Sequence, residues 1–319
     1  MRLSLRLLAA AAFALSLAAQ AQEYPARPIR LIIPFQPGGG SDTLARLLGE
    51  KLSARWKQPV IVENHAGAGG NLGAEIVAKA PPDGYTLLIS SPGPVVINKN
   101  LYDKLSFDPD GFEPVAIIAT NYGVLAVNPK AGLESVAQLI AYARANPNKL
   151  NYASAGSGTT PHLAGELFKS LAGINLTHVP YKGAGPAFTG LLGGEVDMMF
   201  VDVFIALPHI RSGRLRALAL GGGARNPLLP NVPVMAETVS GFDYQVWQGM
   251  VAPAGTPAAL RSRIAAAVAE VVKQPDMSKR LADVGLEAVG STPAEMAQVM
   301  RADRERWGRV IRATGAKAD

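Results

Sequence analysis

Short apolar runs alternate with amphipathic runs along most of the chain. The first apolar run, residues 30–35, precedes residues 42–56, whose leucines fall on one helical face. The same pattern predicts further strands at residues 60–63, 85–90, 115–119, 123–127, 150–153, 176–179, 196–201 and 215–220. It predicts further helices at residues 71–80, 135–146, 161–172, 185–192 and 204–212. This βαβ alternation indicates an α/β fold with mainly parallel sheets covered by helices on both faces.

The C-terminal third has a different pattern. A strand at residues 245–252 is followed by three predicted helices, at residues 257–273, 277–284 and 293–312. The last helix opens with Thr292-Pro293-Ala294-Glu295, a capping box with proline at the first helical position. Since a chain of about 300 residues is more than one core usually holds, two lobes are expected.

The first 21 residues have the pattern of a secretory signal. Arg2 and Arg6 precede an apolar stretch of about 13 residues, too short for a bilayer span of about 20, and Ala19-Gln20-Ala21 fits a cleavage site. With no cysteine, the chain has neither disulfides nor the thiol of a lipid anchor. A free periplasmic protein, exported by a cleaved signal, is therefore predicted.

The charge argues against nucleic acid as a partner. The formal net charge of +6 falls to +4 without Arg2 and Arg6, and the basic residues are spread along the chain rather than clustered. A mild positive excess favours small anions only weakly.

Five glycine- and serine-rich loops interrupt the βα alternation, and most of them follow a predicted strand and precede a helix. They are residues 36–42, 65–70, 90–93, 154–160 and 181–185. The carboxyl ends of strands in open α/β sheets border the ligand crevice, and helix N-termini there favour anions. We therefore expect the backbone N–H groups of these loops to bind one shared anion.

Phosphate is a poor candidate for that anion. No lysine follows Gly38-Gly39-Gly40-Ser41-Asp42, as a P-loop requires, and Asp42 would repel a polyphosphate. The dinucleotide fingerprint fails because Leu72 occupies the third glycine position. Asp42 is better interpreted as a first-turn carboxylate that stabilises its own helix. A carboxylate ligand suits the neutral donors that remain.

Candidate catalytic groups are few. The histidines, His65, His162, His178 and His209, have no metal-ligand spacing, and neither Ser154 nor Ser157 lies in a Gly-x-Ser-x-Gly motif. We therefore predict no metal, no cofactor and no covalent chemistry. His162 could act as a base, although a supporting hydrogen bond suits it better.

Four other side chains have two interpretations each. Lys182 could form a Schiff base or simply face solvent or ligand. Asp202, at the end of a predicted strand, could point into the crevice or cap a helix. Phe35 and Trp247 could belong to the core or stack on a ligand. The pattern alone leaves these alternatives open.

Six motifs, in this order, resemble those of the Bug family of extracytoplasmic solute receptors, the binding components of tripartite tricarboxylate transporters. They are Pro34-Phe35-x-x-Gly38-Gly39-x-x-Asp42, Asn64-x-x-Gly67-Ala68-Gly69-Gly70-x-x-Gly73, Asp108-Pro109-x-x-Phe112-x-Pro114-Val115, Ala153-Ser154-x-Gly156-x-Gly158-Thr159 with His162-Leu163, His178-Val179-Pro180-Tyr181-Lys182-Gly183, and Pro253-Ala254-Gly255-Thr256-Pro257. One departure, His65-Ala66 in place of the usual Arg-Pro, lies beside the expected pocket and bears on ligand identity.

The resemblance implies a two-lobed periplasmic binding protein clamp of type II. Each lobe would be a mainly parallel sheet flanked by helices, and the chain would cross between lobes near residues 122 and 244. Lobe 1 would comprise residues 22–121 and 245–319, and lobe 2 residues 122–244. The implied ligand contacts come from both lobes: Phe35, Gly39, Ser41, Ala68, Ser91, Ser154, Ser157, Gly158 and Thr159, with Asp202 facing the far end of the ligand.

The expected function is capture of a small organic acid or acidic amino acid by a monomeric periplasmic receptor that delivers it to a membrane permease. A rival interpretation is an exported α/β hydrolase or transferase that uses a loop serine with His162. A third is a receptor that serves signalling rather than transport. Which carboxylate binds is left open, because the sequence offers no evident second cationic group for the far end of a ligand.

Overall fold

The computed structural model describes residues 24–222 and 225–318, so the predicted signal at residues 1–21 lies outside the described residues. Its strands are β1 Ile29–Ile33, β2 Val60–Asn64, β3 Thr86–Ser90, β4 Glu113–Val127, β5 Asn151–Ser154, β6 Thr177–Pro180, β7 Met198–Asp202, β8 Arg216–Leu220, β9 Gln245–Ala252 and β10 Leu286–Ala288. Its α-helices are α1 Gly40–Trp56, α2 Asn71–Ala78, α3 Val136–Ala145, α4 Thr160–Ala172, α5 Ala184–Gly193, α6 Val203–Arg211, α7 Ala258–Val272, α8 Pro275–Asp283 and α9 Pro293–Thr314. In these residues no helix is long and apolar enough to cross a membrane.

Two sheets share the long strand β4. The first sheet has the order β2-β1-β3-β9-β4-β10, and the second has the order β8-β4-β7-β5-β6. The strands of the βα units, β1 with β2 and β3, and β5 with β6 and β7, pair in parallel as predicted. The pairs made by β4 and β9 are antiparallel, so each sheet is mixed rather than mainly parallel.

Strand β4 corrects the prediction of two separate strands at residues 115–119 and 123–127. It is continuous for 15 residues and passes from one sheet into the other. Asn121 pairs with Leu286 in the first sheet, whereas Gly123 pairs with Asp202 in the second. Strand β10 was not predicted, because three residues are too few to show a period of two. The lobe limits given above stay a prediction.

Strand β1 shows how the apolar pattern builds the core. Ile29, Leu31 and Ile33 pack with Leu44 and Leu48 of helix α1 in one hydrophobic cluster. Ile32 points to the opposite face and joins a different cluster. A strand buried on both faces is apolar, which is why residues 31–35 form an uninterrupted apolar run. Each such side chain contributes about 1.5–3 kcal/mol when fully buried.

Candidate functional site

A cleft of about 700 Å³ lies between the two sheets, at the carboxyl ends of their parallel strands. The loops after β1, β2 and β3 line one side of it, and the loops after β5 and β6, with β7 and the start of α6, line the other. Eight of the ten predicted contact residues are on its walls: Phe35, Gly39, Ser41, Ala68, Ser91, Ser157, Thr159 and Asp202. The predicted crevice therefore exists, and it is lined by all five glycine-rich loops.

On the first-sheet side the N-terminus of helix α1 faces the cleft. Gly40 and Ser41 are its first two residues, where N–H groups have no partner within a helix, and no acceptor is found for them in the described residues. Ala68 and Gly69 open a short 3-10 helix in the loop after β2 and leave two more such groups. Four amide donors are thus available on this side.

The carboxylate of Asp42 holds the first of these loops in shape. Its Oδ2 accepts the Gly38 N–H at 2.9 Å, and its Oδ1 accepts from Asn64 Nδ2 at 3.0 Å. Burial alone would raise the pKa of Asp42, but the hydrogen bonds from Arg46, Gly38 and Asn64 outweigh it and lower the pKa. Asp42 does not line the cleft. Asp42 is thus in the first turn of α1 as predicted, but its bonds to Gly38 and Asn64 brace the loop.

On the second-sheet side the loop after β5 uses most of its donors internally. Ser154 Oγ accepts the Gly156 N–H at 3.1 Å, and His162 Nδ1 accepts the Gly158 N–H at 3.2 Å. Gly156 O accepts both the N–H of Thr159, at 3.2 Å, and its hydroxyl, at 2.7 Å. The expectation that the amides of every loop are free to bind a ligand does not hold for this loop.

Ser154 and Gly158, two predicted contact residues, lie behind the wall of the cleft rather than on it. Ser154 is completely buried, and its Oγ is 2.7 Å from His178 Nε2. At Gly158 a Cβ would be 3.0 Å from Asn98 Oδ1. Both residues thus lie behind the lining residues in this structure, and direct ligand contact by Ser154 and Gly158 stays a prediction.

The loop after β6 supplies another helix N-terminus. Ala184 and Gly185 are the first two residues of helix α5 and line the cleft. The neighbouring Lys182 also lines it and is exposed. The structure thus favours the solvent- or ligand-facing interpretation of Lys182.

Asp202 lies at the far end of β7, half-buried on the cleft wall. It occupies the N-cap position of helix α6, but its side chain makes no capping bond and instead accepts a hydrogen bond from Asn121 Nδ2. Burial raises the pKa of Asp202 to about 6, although the bond from Asn121 acts in the opposite direction. Of the two interpretations, the crevice-facing one is the one that the structure shows.

The two sides of the cleft touch. A Cβ on Gly40 would be 3.3 Å from Asp202 Oδ2 and 3.4 Å from Phe204 Cε1, both on the second-sheet side. A Cβ on Gly69 would be 3.1 Å from the carbonyl oxygen of Ser157. At residue 69, where φ is +61°, a larger residue would be strained, whereas at residue 40 a methyl group would require its neighbours to give by a few tenths of an ångström.

The sequence analysis missed several lining residues, among them Tyr102, Tyr244 and Gln248. Gln248 is buried, and its Oε1 accepts the Ser41 hydroxyl at 2.6 Å, so that contact uses the Ser41 side-chain donor. A signal was available, because Gln248 is a polar residue inside the otherwise apolar run of β9. An interior amide in such a strand indicates a polar partner.

The rival catalytic arrangement finds no support at Ser154. The imidazole within hydrogen-bond distance of Ser154 Oγ is that of His178, whereas His162 Nδ1 accepts the Gly158 N–H. A completely buried hydroxyl cannot reach a substrate in the cleft. In the described residues no group of three or more His, Cys, Asp or Glu side chains could hold a metal ion.

Trp247 belongs to the core, where its Nε1 donates to Asp303 at 2.7 Å, while Phe35 lines the cleft.

Two sheets that share strand β4, with a ligand-sized cleft between them, define the two-lobed clamp of periplasmic binding proteins. The sequence matches the model of the tripartite tricarboxylate transporter family receptor (TctC) over residues 44–316. The chain belongs to this family.

Relatives agree with this assignment over nearly the whole chain. Protein BugT of Bordetella pertussis is 38% identical over 300 residues, which cover 93% of this chain and 92% of BugT. Rpa4515 of R. palustris, solved with adipate, has a TM-score of 0.88 at 35% identity and covers 92% of this chain and 99% of its own. MatC from Rhodopseudomonas palustris, solved with bound malate, has a TM-score of 0.84 at 33% identity and covers 90% and 100%.

Proposed function

We propose that this protein captures a small organic acid in the cleft and presents it to the membrane subunits of a tripartite transporter. The observation that carries the proposal is the set of amide donors on the first-sheet side, from Gly40, Ser41, Ala68 and Gly69. A hydrogen bond from such a donor to a charged acceptor is worth about 1.5–3 kcal/mol. Two relatives of the same family were solved with adipate and malate, which are carboxylates.

The far end of the ligand would lie near Asp202. An ionised carboxylate there favours a ligand that brings a hydroxyl, an ammonium or a protonated carboxyl group to this position. The remaining wall is mostly apolar or neutral, so size and shape would select among acids. Closure would follow population shift, because a ligand that touches both sides of the cleft stabilises the closed form.

The protein would work as a monomer in the periplasm, after cleavage of the predicted signal, and without turnover. Helix N-termini suffice to bind an anion and provide no nucleophile or base. Catalysis with a loop serine and His162 would convert the bound acid in the experiment described next. A signalling role would give the same binding result, so distinguishing it requires the membrane partner.

A thermal-shift panel followed by calorimetry tests the proposal. The mature protein is mixed with malate, adipate, succinate and aspartate, and with the diamides of succinate and adipate as uncharged controls of matched shape. We expect at least one acid to bind with 1:1 stoichiometry and to be recovered unchanged, and the matching diamide not to bind. Stabilisation by neutral sugars but by none of the acids, or conversion of a bound acid, would contradict the proposal. Coexpression with the permease subunits then distinguishes uptake from signalling.

A further inference from the structure

Two stacked histidines support the loop after β5 from behind the cleft wall. His162, at the start of α4, and His178, on β6, have ring centroids 4.2 Å apart with an angle of 21° between the planes. His178 also stacks on Tyr152 of β5, at 4.9 Å. We call His162 and His178 the imidazole pair.

Each ring of the imidazole pair is directed at the same loop. His162 Nδ1 accepts the N–H of Gly158, and His178 Nε2 lies 2.7 Å from Ser154 Oγ, which accepts the N–H of Gly156. Ser157 and Thr159, which line the cleft, alternate with the glycines whose amides are held in this way. The loop therefore owes the positions of its lining residues to groups that do not touch the cleft.

A buried charged network lies beneath the imidazole pair. Tyr152 OH donates to Glu166 Oε1 at 2.6 Å, and Lys169 Nζ donates to the same carboxylate at 2.8 Å. Burial alone would raise the pKa of Glu166, but the bonds from Lys169 and Tyr152 outweigh it and lower the pKa. Glu166 thus stays ionised and fixes Tyr152, on which His178 stacks.

We propose that His162 and His178 are positioning residues for ligand binding, and that they act only while Nδ1 of His162 carries no proton. An unprotonated Nδ1 accepts the Gly158 N–H, whereas a protonated one places two donors against each other. The loop must then release Gly158, and the wall formed by Ser157 and Thr159 loses its shape. This inference rests on the proposed function, since it explains how one side of that cleft is held.

The consequence is an acid-sensitive affinity. Protonation of Nδ1 would remove the acceptor of the Gly158 N–H, so affinity should fall on acidification. The groups that face His162 are Tyr152 from β5, His178 from β6, Glu166 on its own helix, and Tyr102 beyond Gly158. Burial raises the pKa of Asp202, on the cleft wall, to about 6, and its protonation would have the opposite effect, because it removes a negative charge that repels an anion.

The first experiment needs no ligand and so stands apart from the proposed function. The protein has four histidines, so selective ¹⁵N-histidine labelling gives a spectrum that can be assigned with single variants. At pH 7.5 we expect His162 to be the tautomer with its proton on Nε2, and the Gly158 amide to exchange slowly with solvent. A proton on Nδ1 of His162 at this pH would overturn the proposal, whether or not any acid binds.

The second experiment measures affinity for malate and adipate by calorimetry. In His162→Leu the acceptor is lost, and we expect affinity at pH 7.5 to fall about tenfold, the effect of leaving one buried donor unpaired. In His162→Asn an oxygen can take the place of Nδ1, so most of that loss should be recovered, while His209→Asn, outside the cleft, is the matched control.

Acidification gives the decisive measurement, because a histidine that only stabilised the fold would not make the ligand affinity depend on pH. Between pH 7.5 and 5.5 we expect the wild-type affinity to fall about fivefold more than that of His162→Asn, which cannot titrate at residue 162. The same pH dependence in both proteins, or equal affinities for His162→Leu and His162→Asn, would overturn the proposal. If His162→Leu does not fold, the pH comparison and the tautomer measurement decide alone.

Discussion

Two glycine-rich loops face each other across the cleft, residues 36–42 on the first-sheet side and residues 154–160 on the second. In the first loop one side chain, Asp42, uses the Gly38 amide and leaves those of Gly40 and Ser41 open. In the second loop the amides of Gly156, Gly158 and Thr159 are all bonded within the protein.

The first residues of the helices after these loops add to the difference in free amide donors. Helix α1 begins with Gly40 and Ser41, each of which has an N–H donor. Helix α4 begins with Thr160 and Pro161, and proline has no N–H. Two similar sequence patterns therefore do different work: the first loop offers donors, and the second provides a wall of fixed shape. A glycine-rich loop predicts access of the backbone to a ligand only when no nearby side chain already takes its amides.

The largest effect is expected from a substitution beneath the second loop, at Gly165. In Gly165→Ala the new methyl group would lie 2.2 Å from the Tyr152 ring, on which His178 stacks. We expect the free energy of unfolding to fall by about 3 kcal/mol, at the upper end for overpacking. Urea unfolding followed by circular dichroism measures this. In the control, Gly193→Ala, the methyl group would meet only Glu195 Cγ at 4.0 Å, and a change within about 0.5 kcal/mol is expected. Equal stabilities would contradict the close packing of Gly165 on Tyr152.

The second effect comes from Asp202, the carboxylate opposite the donors of helix α1. Because burial raises its pKa to about 6 in the folded protein, its charge destabilises the fold above pH 6, and the penalty disappears as the pH falls towards 4. We expect Asp202→Asn to raise the free energy of unfolding at pH 7.5 by about 2 kcal/mol, discounted because the group is only half-buried. Thermal unfolding at pH 7.5 and 4 checks the sign. If the difference in stability between the wild type and Asp202→Asn were the same at both pH values, the pKa of Asp202 would not be raised.

The third effect concerns the contact between the two sides. In Gly40→Ala the methyl group would press on Asp202 and Phe204 at 3.3 and 3.4 Å. We expect a roughly tenfold weaker affinity for the acid selected by the panel, about 1.4 kcal/mol, with little loss of stability because alanine is a good helix residue. Calorimetry measures the affinity, and Gly193→Ala is again the matched control. An unchanged affinity would mean that binding does not require the two sides to approach at this point.

The smallest effect tests the brace of the first loop. In Asp42→Asn the ion pair with Arg46 is lost, and the bond to Gly38 becomes a neutral one. We expect a loss of about 1 kcal/mol in the free energy of unfolding at pH 7.5. Because the pKa of Asp42 is lowered, the wild-type advantage should persist above about pH 4 and disappear as the pH falls through the folded pKa. Asp283→Asn, in an exposed pair with Lys279, should change stability by less than about 0.5 kcal/mol.

Much of the fold could be predicted because its signals are local. The apolar face of α1 and the capping box of α9, in which Thr292 and Glu295 cap each other, are legible within a few residues. Strand β4 could not be predicted as one strand, because the polar residues Thr120 and Asn121 interrupt its apolar pattern where it crosses between the sheets. Its partners, β9 and β10, come from more than 100 residues later in the chain.

The site, like the fold, could be predicted only in part. Loop positions such as Gly39, Ala68 and Ser157 follow from the rule that ligands bind at the carboxyl ends of strands, and all three line the cleft. Which donors are free does not follow from that rule, because it depends on distant side chains. His178 reaches Ser154 from another strand, and Gln248 reaches Ser41 from 207 positions further along the chain. No local pattern contains those contacts.

The central claim is that amides of the first-sheet loops bind the ligand, and an amide NMR titration tests it most directly. ¹⁵N-glycine-labelled protein is titrated with the acid that gives the largest thermal shift. We predict that the signals of Gly40 and Gly69 move furthest downfield, as expected for new hydrogen bonds to a carboxylate, and that those of Gly156 and Gly158 move little. A saturating acid that leaves Gly40 and Gly69 unshifted would contradict this account of the cleft.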